Sequence, residues 1–128
     1  MKDMRTLLPF VMVILSMSVF GQTSEALGTY SENGKMIAIT NLSGLSDCAA
    51  RSARGKVRSV KVDGDRAIVR LRDKKVETDV EIPLDKLAKD ERDAIFKQLL
   101  KKKNLLRVAG YACTPEAAIT AFSIDHVY

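Results

Sequence analysis

The chain from Arg54 to Val127 carries two apolar alternations hinged at turn dipeptides, then a charged amphipathic segment, then two further apolar runs split by Thr114-Pro115-Glu116. Three strands, one helix and two more strands predict a mainly β protein with one helix, in the β-β-β-α-β-β order of a small five-stranded OB-like barrel. Residues 42–128 are assigned to this barrel, residues 22–41 to an N-terminal arm with a short strand, and residues 1–21 to a signal peptide. A chain of 128 residues has room for one such domain.

The clearest local signal is the first hairpin. Val60 and Val62 precede Asp63-Gly64, and Ala67, Val69 and Leu71 follow in alternation. Asp-Gly between alternating runs marks a two-residue turn, because type I′ turns need positive φ at both central residues. That turn sets Val62 opposite Asp65 and Val60 opposite Ala67. Val57 is out of phase with Val60, which predicts a β-bulge near Arg58 or Ser59.

A second hairpin is expected at Asp73-Lys74, with Leu71 opposite Val76. The inward residues are then Ala67, Val69 and Leu71 on one strand and Val76, Thr78, Val80 and Ile82 on the next. The same register sets Arg70 opposite Glu77 and Arg66 opposite Glu81. Arg66, Arg70 and Arg72 resemble a basic stripe, but cross-strand carboxylates make this a neutralised, solvated face.

Pro83 has no N–H to give to a ladder and ends the third strand. A helix follows, starting between Asp85 and Asp90, with Leu84, Leu87, Ala88, Ile95, Phe96 and Leu99 at spacings of three and four. Asp90, Glu91 and Asp93 precede Lys101, Lys102 and Lys103, the charge order that a helix dipole favours, so the lysine triplet reads as its complement. Asn104 caps the helix, and strands Leu105–Ala112 and Ala118–Val127 complete the order.

The N-terminal third reads differently. Lys2 and Arg5 precede the apolar run Thr6 to Phe20, and Gly21 to Ser24 are small or polar, the layout of a secretory signal cut after Gly21. The run is short for a bilayer span, so no stable membrane span is expected after cleavage. Gln22 to Lys35 lacks a period and reads as a linker, Met36 to Leu42 as a short strand, and Ser43 to Ala53 as a turn with one helical turn carrying Cys48. Without Lys2, Asp3 and Arg5, the 21 basic and 16 acidic residues become 19 and 15. That excess is mild, and the interleaved signs imply no strongly directed field.

Two cysteines, Cys48 and Cys113, in an exported chain read as one disulfide. The order of a first Cys, strand hairpins, a charged helix, LLRVAGYAC, a turn and AAITAFSI resembles the layout of exported bacterial AB5 enterotoxin B subunits of the cholera-toxin type. From about Leu42 to Val127 the resemblance implies an OB fold and the same Cys48–Cys113 bridge. That family's ganglioside pocket uses a Trp just after the second Cys; Thr114 and Pro115 stand here and the chain has no Trp, so ganglioside binding does not carry over. A shorter stretch, VRLRDKKVETDVEIPLDKLAKDERDAI, resembles the SHD1 type of small β domain and implies an SH3-like barrel instead.

Chemistry is sparse. The single His is His126, near the C-terminus, no Ser has a glycine elbow, no Cys or His cluster has metal spacing, and no glycine-rich phosphate loop is present. The sequence therefore predicts a non-enzyme with no catalytic residue, no metal and no cofactor. Nucleic-acid binding is not expected, because the strands from Arg66 to Ile82 carry no aromatic residue on which a base could stack. The reading that remains is a periplasmic or secreted module that binds a protein or glycan through loops at one barrel end. Candidate contacts are Arg51, Arg54, Tyr111, Thr114 and Glu116, with Tyr111 equally suited to the core. The alternative is a structural protein in which the arm adds a strand to a second copy, giving a homo-oligomer.

Overall fold

The computed structural model describes residues 25–44 and 46–128, so the expected signal peptide lies outside the described residues. The strands are β1 (Leu27–Tyr30), β2 (Met36–Thr40), β3 (Ala49–Asp63), β4 (Arg66–Asp73), β5 (Val76–Pro83), β6 (Leu105–Ala112) and β7 (Ile119–His126). One short helix, α1 (Lys89–Ala94), runs into a single π-wound turn at Ile95–Leu99. The mainly β class with one helix is as the sequence predicts. All seven strands form one sheet in the order β1-β2-β7-β5-β4-β3-β6, and a further β6–β7 pairing closes a ring through β3, β4, β5, β7 and β6.

Closure depends on β3, which is long enough to serve two neighbours. Ala49 to Lys56 pair with Ala112 back to Leu105 on β6, and Lys56 to Asp63 pair with Arg72 back to Arg66 on β4. Lys56 belongs to both ladders. The register slips between Val57 and Ser59, where the bulge was expected, and an extra residue there bends the strand between its partners. At the crossing, a Cβ on Gly55 would lie 2.9 Å from the Arg72 carbonyl carbon, so only glycine lets the two backbones approach this closely. Bending is stabilised from below, because Val57 N–H donates to the Asn104 carbonyl and Lys103 N–H donates to the Val57 carbonyl, each at 3.0 Å.

Both hairpins turn one residue later than the sequence suggested. Asp63 pairs with Arg66 and Val60 with Val69, so Gly64 and Asp65 are the central residues, with positive φ (62°) at Gly64 alone. Asp73 pairs with Val76 and Leu71 with Thr78, and Lys74 takes the positive φ (57°) of the second turn. Moving a turn by one residue changes each cross-strand partner by two positions, which preserves every side chain's face. Ala67, Val69, Leu71, Val80 and Ile82 are accordingly buried as expected, whereas Val76 lies beyond the core and is 66% exposed. The arginines keep carboxylate partners: Arg70 pairs with Asp79 at 2.9 Å instead of Glu77, and Arg66 reaches Glu81 at 3.0 Å on the diagonal.

The segment read as a linker is part of the sheet. Leu27–Tyr30 pairs with β2, and β2 pairs with β7 through Ala38 with Asp125 and Ile39 with Ile124. The parallel contact from β5 occupies only Ile119 and Thr120, so the arm covers the part of the β7 edge that β5 leaves open. Met36, Ile39 and Leu42 are fully buried against the ring, and the Gln98 side-chain oxygen accepts the Met36 N–H at 2.6 Å. The expected helical turn in Ser43–Ala53 is not formed, since Ala49 onward is strand; pairing with β6 overrides the weak β-propensity of Ala, Arg and Ser.

The helix is shorter than its apolar stripe implied. After Ala94 the winding widens, with Leu100 N–H donating to the Ile95 carbonyl at 2.7 Å, and this turns Ile95, Leu99 and Leu100 together into the core. The Asn104 side chain then caps the end, donating to the Gln98 and Leu99 carbonyls at 2.9 and 3.1 Å. Nineteen hydrophobic side chains, from Ala26 to Ile124, form one buried cluster, and no polar or charged residue is fully buried among the described residues.

Packing on the far side of the ring is equally tight at Gly110, beside a register slip in the β6–β7 ladder; a Cβ there would fall on the Thr120 carbonyl oxygen. Gly110→Ala is expected to destabilise the fold by about 3 kcal/mol, because backbone must move to admit the methyl group. Urea denaturation of the variant checks this.

Candidate functional site

The two ends of the β3–β6 ladder carry different chemistry. At the Ala49–Ala112 end, Cys48 and Cys113 are joined in a disulfide with Cα atoms 4.5 Å apart. The bridge ties the loop before β3 to the turn between β6 and β7. In that turn the Ala117 N–H donates to the Thr114 carbonyl at 3.2 Å with Pro115 at the second position, where its fixed φ suits a β-turn.

Three shallow clefts surround this bridge and share residues. One of about 320 Å³ lies between Arg51, Tyr111 and Phe122. A second of about 470 Å³ lies between Arg51, Asp79 and Glu116, and a third of about 280 Å³ between Ser46, Tyr111 and Thr120 beside the cysteines. Tyr111 is half-buried and lines two of them. Arg51, Tyr111, Thr114 and Glu116 therefore fall at one end of the ring, as the sequence reading grouped them. Arg54 does not: it pairs in register with Arg107, toward the opposite end, and lines a different cleft.

That cleft, of about 920 Å³, is basic. Arg54, Lys56 and Arg58 come from the exposed side of β3, Arg72 and Lys74 from the end of β4 and its turn, and Lys102 and Lys103 from the turn before β6. Asp73 is the one acidic residue in the lining. Arg66, Arg70 and Arg107 elsewhere on the ring are held by Glu81, Asp79 and Asp125, and those carboxylates push each guanidinium's pKa up. In the cleft, Arg58 pairs with Glu77 at 4.0 Å, the one ion pair there among the described residues, and Arg72 donates to the Lys74 carbonyl at 2.9 Å.

Backbone strain sits at the same place. Among the described residues, Asn41, Lys74 and Lys103 are the non-glycine residues with positive φ, and Asn tolerates that region. The left-handed conformation costs a residue with a Cβ about 1–2 kcal/mol. Both strained lysines line the basic cleft. Sequence reading missed this site because its cations come from three separated segments, and the lysine triplet among them reads as the complement of the helix dipole.

No group of three or more His, Cys, Asp or Glu side chains that could hold a metal ion occurs among the described residues, and no helix among them is long and apolar enough to cross a membrane. His126 pairs in register with Leu106, its ring lies 4.4 Å from that of Tyr128, and its Nδ1 is buried without a hydrogen-bond partner. Burial pushes its pKa down, and the nearby Lys35 cation pushes the same way. Compared with known proteins, the chain matches no family model and no curated protein.

The disulfide closes a sequence separation of 65, and its removal in a Cys48→Ser, Cys113→Ser variant is expected to lower stability by about 4 kcal/mol in urea denaturation. His126 makes stability depend on pH. In the unfolded chain it takes up a proton near pH 6.5, whereas the folded protein does so only at lower pH, so its contribution is complete above about pH 6.5 and is lost on acidification below it. His126→Phe should therefore show a shallower fall in melting temperature between about pH 7 and about pH 5 than the parent chain.

Proposed function

We propose that this chain is an exported, non-catalytic binding module on an OB-like barrel, which recognises a protein or glycan through the loops at the disulfide end. The OB-type reading is supported by the ring order β3-β4-β5-β7-β6, with a helix between its third and fourth strands and a parallel contact between β5 and β7. The SH3-like reading left the last two strands without a role, and both lie in the ring. Export to the periplasm or beyond is supported by the disulfide, since such bonds persist in oxidising compartments.

The observation that carries the binding role is the set of adjoining clefts around Cys48–Cys113, built on the turn between the fourth and fifth ring strands. OB barrels bind through that loop and the one joining their first two strands. Tyr and Arg are the residue types that most often anchor interfaces, and Tyr111 and Arg51 stand where these clefts meet. In the structural alternative the arm adds a strand to a second copy; in this chain β2 of the arm pairs with β7 and β1 forms the outer edge of the sheet.

An array of glycans and envelope proteins probed with the purified, disulfide-bonded protein should yield a ligand whose affinity falls about tenfold or more in Tyr111→Ala or Arg51→Ala. Absence of any ligand, together with an oligomer by light scattering that dissociates when residues 22–41 are removed, would transfer support to the structural reading.

A further inference from the structure

We infer that the basic cleft between the β3 bulge, the β4–β5 turn and the turn before β6 is a second binding site, for a sulfated or phosphorylated oligosaccharide. The inference shares with the proposed function only the premise of a binding module. Its residues lie at the other end of the β3–β6 ladder from Tyr111 and Arg51, so each site can fail alone.

Three observations converge on the cleft. First, charge of one sign is gathered in one place: Arg54, Lys56, Arg58, Arg72, Lys74, Lys102 and Lys103 line the cleft against the single carboxylate of Asp73, whereas arginines on the β4–β5 and β6–β7 ladders face carboxylates. A concave surface lined by one sign of charge focuses its field and concentrates oppositely charged ligands. Second, the cations are held in position by backbone. Lys103 is clasped to the bulge through Val57, and the Arg72 backbone packs against Gly55 with no room for a Cβ between them. Third, the two lysines with unfavourable positive φ are both in the lining. Either turn would be more stable with glycine, and persistent local strain of this kind collects at functional positions.

The lining also selects the class of ligand. It contains no aromatic residue, so it lacks the platforms on which single-stranded nucleic acids stack their bases. Val57 is buried and Leu105 half-buried, so it lacks the exposed apolar or aromatic anchor at the centre of most protein interfaces. What it offers is several ammonium and guanidinium donors spread over a cleft too wide for one small anion. A saccharide bearing several sulfate or phosphate groups matches both the spread and the charge.

Isothermal titration with a heparin-type sulfated octasaccharide at low salt tests this. Binding is expected, with affinity falling steeply as salt rises and falling about tenfold or more in Lys102→Glu, Lys103→Glu. Arg66→Glu, Arg70→Glu makes the same change in net charge on the paired ladder and should leave affinity nearly unaltered. Lys74→Gly, Lys103→Gly should melt at a higher temperature than the parent yet bind more weakly, a combination that a merely structural role for these lysines would not produce. Equal loss in the Arg66, Arg70 variant would overturn the site in favour of general attraction to a basic protein. Equal or tighter binding of charge-matched single-stranded DNA, of inorganic phosphate alone, or of the desulfated octasaccharide would overturn the ligand class. Loss of binding in Tyr111→Ala with the lysine variants unaffected would return the ligand to the disulfide end.

Discussion

Ring closure rests on one strand pairing with two neighbours in succession. β3 passes from β6 to β4 by bending, and three features meet at the bend: Gly55 under Arg72, the bulge after Val57, and the hydrogen bonds that the Val57 N–H donates to Asn104 and its carbonyl accepts from Lys103. The bend cannot relax without losing register in both ladders. It also opens the strand's exposed edge into a cleft, because a bulge turns successive side chains away from the ladder. The basic cleft is thus a by-product of how the ring shuts, and the sequence has filled its walls with lysine and arginine.

The strand parity of this fold was legible from the chain, and the pairing was not. Alternation of Val60, Val62, Ala67, Val69 and Leu71 fixes which side chains point inward, since an odd slip would expose all of them. It is indifferent to an even slip, and both hairpins differ from expectation by such a slip. Positive φ decided the matter: Gly64 and Lys74 each take the first central position of their turns. The bulge was readable because a phase change within a run of valines has few other causes. Segments without large apolar residues were misread. Gln22 to Lys35 shows no period because β1 is a short edge strand with exposed side chains, and Ala49 to Ala53 has too little β-propensity to announce a strand whose partner lies about 60 residues away.

The sites divide along similar lines. Grouping Arg51, Tyr111, Thr114 and Glu116 needed only the cysteine pairing, because a covalent bond brings its flanks together whatever the register. Arg54 was misplaced with them since the three residues beyond Arg51 carry its side chain about 10 Å further along the strand and onto the other face. The basic cleft was illegible for a different reason. Net charge and sign alternation are one-dimensional measures, and a pleated strand sorts alternate residues to opposite faces. Arg66 and Arg70 meet carboxylates across a ladder, whereas Lys56, Arg72 and Lys103 line one cleft at a bend with Asp73 as its single acid.

The two ends of the β3–β6 ladder are secured by unlike means, and this bears on how each could evolve. At the disulfide end a covalent bond fixes the loops, so the intervening side chains are free to vary without loosening the turn. At the cleft end the fixing is done by backbone hydrogen bonds from the strained turn that itself carries the cations. Glycine at Lys103 would relieve that turn and remove a charge in one step. A lysine held there against the local conformational preference is most simply understood as retained for its ammonium group, since the fold would be better served without its side chain.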